Sequence, residues 1–171
     1  MKRVLPPLCL GILFLALQST LLTFPFLHRI RPDLVLILTL YLGLSYPPLS
    51  GGLIAFLLGY GMDLLSGNTF GLYTFSRLIL FYWAQLFKNR IYLENFFLQS
   101  LLVFLFTLAD GLLVLFLLRT LNPEPWRHLI PPLFTSFLPH SLSTALVSPF
   151  LFALFHRVFF LFQDYRMGEK G

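Results

Sequence analysis

The sequence predicts an all-α integral membrane protein, a polytopic bundle of about six transmembrane helices. Three observations carry that prediction: a hydrophobic share of 57% against 11% charged residues, apolar runs that recur along the chain, and polar or Pro/Gly-rich breaks between them. A water-soluble fold of 171 residues would leave much of this apolar excess on its surface, so lipid must cover it. The net charge of +5 does not point to nucleic acid, because the basic residues are scattered between apolar runs and form no patch or stripe. Such flanking charges suit helix ends at an anionic cytoplasmic leaflet.

The runs are Val4 to Phe26, Leu34 to Tyr46, Leu49 to Leu65, Leu72 to Phe87, Phe96 to Leu118 and Leu133 to Phe162. The first follows Met1-Lys2-Arg3 as a signal peptide would, but it continues to about Phe26 without an Ala-x-Ala-type cleavage site, so it reads as a retained span. Arg31-Pro32-Asp33 opens the second: Pro32 lacks a donor that a first turn leaves unpaired, and Asp33 suits the positive end of a helix. The turn Ser45-Tyr46-Pro47-Pro48-Leu49-Ser50-Gly51-Gly52 separates the second run from the third. Both are shorter than the roughly 20 residues that cross a bilayer core, which implies flanking extension, a locally thinned membrane or a re-entrant hairpin. No repeat or low-complexity linker divides the chain, and residues 1–171 read as a single polytopic membrane domain.

Basic residues set the orientation. With the N-terminus inside, one side holds Lys2, Arg3, Lys88, Arg90, Arg157, Arg166 and Lys170, and the other holds Arg29, Arg31, Arg119 and Arg127. Both termini are therefore expected in the cytoplasm. Tyr82, Trp83 and Tyr92 near the inner end, and Trp126 in the last outer loop, fit interfacial anchors.

The third run carries an expensive carboxylate, Asp63. On a helix Gly52, Ala55, Gly59, Asp63 and Ser66 share a stripe about 80° wide, so small residues and the charge lie on one face. That face, through Gly52, Ala55, Gly59 and Ser66, is the expected helix-packing and partner-docking surface. Asp63, Arg77, Asp110 and His140 fall at similar depth in the outer half of the slab and form the expected structural polar cluster. Asp63 and Arg77 flank the Ser66 to Gly71 turn, which leads to an expected ion pair between them. Asp110 lies in Thr107-Leu108-Ala109-Asp110-Gly111, where an interhelical hydrogen bond is the plain role and a functional contact the sharper one. His140 follows Pro139, and the hydroxyls of Ser141, Ser143 and Thr144 are placed to satisfy backbone freed by that proline.

Chemistry is not indicated. Ser141 is adjacent to His140 in sequence and points elsewhere on a helix, and no Gly-x-Ser-x-Gly elbow accompanies it. The four histidines are scattered, there is no His-Glu-x-x-His, and the single cysteine, Cys9, has no second thiolate to join. We expect no catalytic residue, no cofactor and no metal. The many phenylalanines read as lipid-facing and packing residues before they read as stacking platforms.

The layout as a whole resembles a known family. Arg31-Pro32-Asp33-Leu34 opening the second span, and Gly59-Tyr60-Gly61-Met62-Asp63-Leu64-Leu65-Ser66-Gly67 followed by Phe70-Gly71-Leu72, resemble the rod shape-determining protein MreD family. The resemblance is strongest from Arg31 to Arg90 and weak beyond Pro123, and Asn68-Thr69-Phe70-Gly71 departs from the Pro-x-Gly-like turn of many relatives. It implies a non-enzymatic subunit of the bacterial inner membrane that maintains rod shape. It further implies direct transmembrane binding to MreC, with MreB, RodA and a penicillin-binding-protein synthase as members of one peptidoglycan-synthesising complex. A homo-oligomer is compatible with the same surfaces. The competing class is a solute-binding membrane subunit, similar in size and span count to the substrate-specific components of energy-coupling-factor transporters, in which the polar cluster would line an outward-facing pocket.

Overall fold

A computed structural model describes residues 5–21, 32–66, 71–88, 95–121 and 137–167, with side chains to residue 159 in the last of these segments. Trp126, Tyr92, Arg29, Arg31, Arg90 and Arg127 and the turn residues 67–70 lie outside the described residues. The described residues form six helices: α1 (Leu5–Leu21), α2 (Leu34–Ser45), α3 (Pro48–Ser66), α4 (Leu72–Phe87), α5 (Phe96–Leu121) and α6 (Leu138–Met167). This is an all-α membrane bundle. Three stretches, Pro48–Ser66, Phe96–Thr120 and Leu138–Phe159, are long and apolar enough to cross a membrane.

The centre of the bundle is α2. Its residues from Val35 to Leu44 are buried without interruption, and α2 packs on each of the other five helices. A surface apolar all round suits either lipid or a protein interior, and with only 12 residues, too few to cross a bilayer core, α2 takes the interior. Tyr41 and three phenylalanines of α6 join it to the far wall: the ring of Tyr41 lies 5.6 Å from Phe152, 5.3 Å from Phe155 and 5.6 Å from Phe159.

Glycines set the helix contacts where backbones close in. A Cβ at Gly59 would fall 2.6 Å from the Cα of Thr74 and 2.9 Å from the carbonyl oxygen of Tyr73, so α3 and α4 meet backbone to backbone there. A Cβ at Gly51 would meet the ring of Phe81 at 2.6 Å. Gly51 and Gly52, expected in a turn, instead lie in the first turns of α3, which begins at Pro48, where a missing N–H costs nothing. Packing against α4 outweighs the weak helix propensity of the two glycines.

The two ends of α2 are both tied to α4. At its start Asp33 contacts Arg77. At its end the carbonyl of Tyr46 accepts from Gln85 Nε2 at 2.8 Å and from Lys88 Nζ at 2.7 Å. These contacts make α2 and α4 parallel, with α3 running back between them. At 1.5 Å per residue α2 is about 18 Å long, so neither end reaches far from the protein interior, and side chains must satisfy its orphan backbone groups.

Candidate functional site

The sequence places few polar groups inside the bundle, and most of them gather at the start of α2. Asp33 is the N-cap: its Oδ1 accepts from the backbone N–H of Leu36 at 2.8 Å and from Gln18 Nε2 of α1 at 3.2 Å. Its own N–H donates to Thr144 Oγ1 of α6 at 3.2 Å. Its Oδ2 accepts from Arg77 Nη2. Across the guanidinium, Arg77 Nη1 stands 3.5 Å from Asp110 Oδ2 of α5, and Asp110 Oδ1 accepts from Ser76 Oγ. One arginine, 0% exposed, therefore joins α2, α4 and α5, while Gln18 and Thr144 add α1 and α6.

The geometry favours fixation over chemistry. Arg77 is always charged, and removal from water is tolerable only because two carboxylates flank it. The carboxylates differ in support. Asp33 has a helix N-terminus, an amide and the guanidinium, whereas Asp110 sits within α5 and has a hydroxyl and the more distant guanidinium nitrogen. Ser141 donates to the carbonyl of Leu138 at 2.9 Å, and both Ser143 and Thr144 donate to the carbonyl of His140 at 2.8 Å. The protons of these hydroxyls are spent within their own helix, on the Leu138 and His140 carbonyls, which are not the groups that the missing N–H of Pro139 leaves unpaired. Among the described residues no group of histidines, cysteines and carboxylates is arranged to hold a metal ion.

Of the four residues expected to cluster, Arg77 and Asp110 lie together as an ion pair, Asp63 is engaged elsewhere, and His140 enters only through its backbone carbonyl, which accepts from Ser143 and Thr144. The expected Asp63–Arg77 ion pair is corrected. Asp63 instead caps α4: its Oδ1 accepts from the N–H of Tyr73 at 2.8 Å, and its Oδ2 accepts from the N–H groups of Gly71 at 3.1 Å and Thr74 at 3.0 Å and from the Thr74 hydroxyl. The physical reason is competition. The first turn of α4 offers several donors that have no partner within their own helix, and Asp63 is the side chain at hand. Asp63→Ala is expected to lower stability by about 2 kcal/mol, read as a shift in denaturation of the purified protein in detergent micelles. A shift no larger than that of Leu64→Ala, on the exposed face, would contradict the capping role.

The small-residue face, expected to serve helix packing and partner docking, meets α4 of the same chain. Gly52, Ala55 and Gly59 are buried, and α4 of the same chain occupies their face, with Tyr82 and Phe81 over Gly52 and Thr74 over Gly59. Ser66 is exposed at the end of α3. Over Gly52 and Gly59 the stripe is a packing surface within the chain.

Asp33, Gln18 and Ser76 were missed as members of the site. Asp33 had the clearest signal. It opens an apolar run too short to cross a bilayer, so the start of that run had to lie inside the protein and its carboxylate needed a buried cation.

Close helix packing around an interior ion-pair network, with bulky apolar side chains outside, defines a polytopic helical membrane protein. Comparison with known families gives the particular one. The family model described as rod shape-determining protein MreD matches residues 1–160, and the chain belongs to that family, whose members act in rod shape determination. No match was found among curated proteins or solved structures.

Proposed function

We propose that this chain is a non-enzymatic, multi-pass subunit of the bacterial inner membrane, with both termini cytoplasmic, that maintains rod shape by binding MreC and helping to organise peripheral peptidoglycan synthesis. It works alongside MreB, RodA and a penicillin-binding-protein synthase, and residues 1–171 act as one membrane domain. The observation that carries the non-enzymatic part is the inward commitment of the polar groups. Arg77 is buried between Asp33 and Asp110 and forms an ion pair with each, and Asp33 also caps α2, which suits a rigid positioning element. The rival reading as a solute-binding subunit needs these groups to line an opening, and their burial weighs against it.

MreC docks, in this account, on the outer surface of the bundle, since α4 fills the Gly52 to Gly59 face. Depletion of the protein in a rod-shaped host tests the reading. Cells are expected to round and to regain rods when the chain is restored, and MreC is expected to copurify with it. Unchanged rods on depletion, or rounding with no MreC recovered, would overturn the respective parts.

A further inference from the structure

The lipid-facing apolar band differs in height around the bundle. On α5 the exposed large apolar side chains run from Phe96 to Phe116, about 30 Å of helix, which matches a hydrocarbon core of about 30 Å. On α3 they run from Leu49 to Leu65, about 24 Å. On α4 they run only from Phe75 to Phe87, about 18 Å, and the whole helix is about 24 Å long. Tyr82 and Trp83, both 50% exposed, sit inside that band and suit the headgroup boundary better than its middle.

A helix that is too long can tilt, but one that is too short cannot. A short helix is accommodated by snorkelling side chains, by burial against more protein, or by a thinner bilayer. Among the described residues, snorkelling is closed to the basic side chains of α4. Lys88 at its end is held across to the Tyr46 carbonyl, and Arg77 is buried. Burial against another helix is disfavoured by the side chains themselves. The small residues of the pair, Gly51, Gly52, Ala55, Gly59 and Ala84, all face inward, while the outer surface presents bulky leucines and aromatics.

We propose that the α3–α4 face meets a locally thinned bilayer and selects short-chain phospholipid, whereas the α5 face does not. The inference is independent of the role in cell shape. Its test uses the full-length chain in vesicles mixing dimyristoleoyl and dierucoyl phosphatidylcholine, with one species brominated to quench tryptophan. With Trp126→Phe, Trp83 reports on α4; with Trp83→Phe, Trp126→Phe and Leu105→Trp, the reporter sits on the exposed face of α5. Short-chain lipid is expected to be favoured by about threefold at Trp83 and not favoured at position 105. Equal preference at the two positions, long-chain preference at Trp83, or a Trp83 that no brominated lipid quenches because a second copy covers the face would each overturn the proposal.

Discussion

Arg77→Met is expected to abolish most of the assembled protein. The substitution keeps the volume of the side chain close to constant but strands two carboxylates, Asp33 and Asp110, in an interior that excludes water. Breaking a buried pair by removing one partner costs about 3–5 kcal/mol, a large part of the stability a domain of this size possesses. The loss spreads, because Asp33 also caps α2 and holds Gln18 and Thr144. Membrane-inserted protein measured by fluorescence size-exclusion chromatography is expected to fall severely, and Arg77→Lys to recover part of it, since an ammonium restores charge without the planar fork. Wild-type levels and melting behaviour in the Arg77→Met protein would show that the charges are balanced by other means.

Gly59→Val is the second large effect. The added Cβ alone would stand 2.6 Å from the Thr74 Cα, and backbone on both sides leaves nothing flexible to yield. The helices must separate, which opens the Asp63 cap of α4 at the same time. We expect a loss of about 3 kcal/mol. Gly71→Ala is the control. Gly71 has φ +92 and no atom within 4 Å of an added Cβ, so only backbone strain opposes alanine and the cost is about 1 kcal/mol. A Gly59→Val protein as stable as Gly71→Ala would mean that the α3–α4 contact is looser than described.

Much of the architecture was legible because lipid imposes strong rules. Apolar runs located each helix among the described residues, and Asp33 marked the start of α2 through the same donor shortage that makes it an N-cap. The Gly52, Ala55 and Gly59 stripe is readable as a face of small residues, and Gly52 and Gly59 lie against α4, yet periodicity along one helix carries no information about which helix fills the groove. Tertiary pairing was the illegible part. Sequence proximity across a short turn suggested Asp63 for Arg77, but Arg77 lies about 8 Å along α4 from the helix start that Asp63 caps, level with the recessed start of α2. That offset depends on how deeply a twelve-residue helix sits among longer ones, which no local pattern encodes.

The central claim is that Arg77 is partnered by Asp33 and not by Asp63. Double-mutant cycles with Arg77→Met against Asp33→Asn and against Asp63→Asn, measured by denaturation in mixed micelles, test it most directly. The account predicts strong coupling for the Asp33 cycle, about 2 kcal/mol, and near-additive effects for the Asp63 cycle. Coupling confined to Asp63, with Asp33 additive, would contradict it.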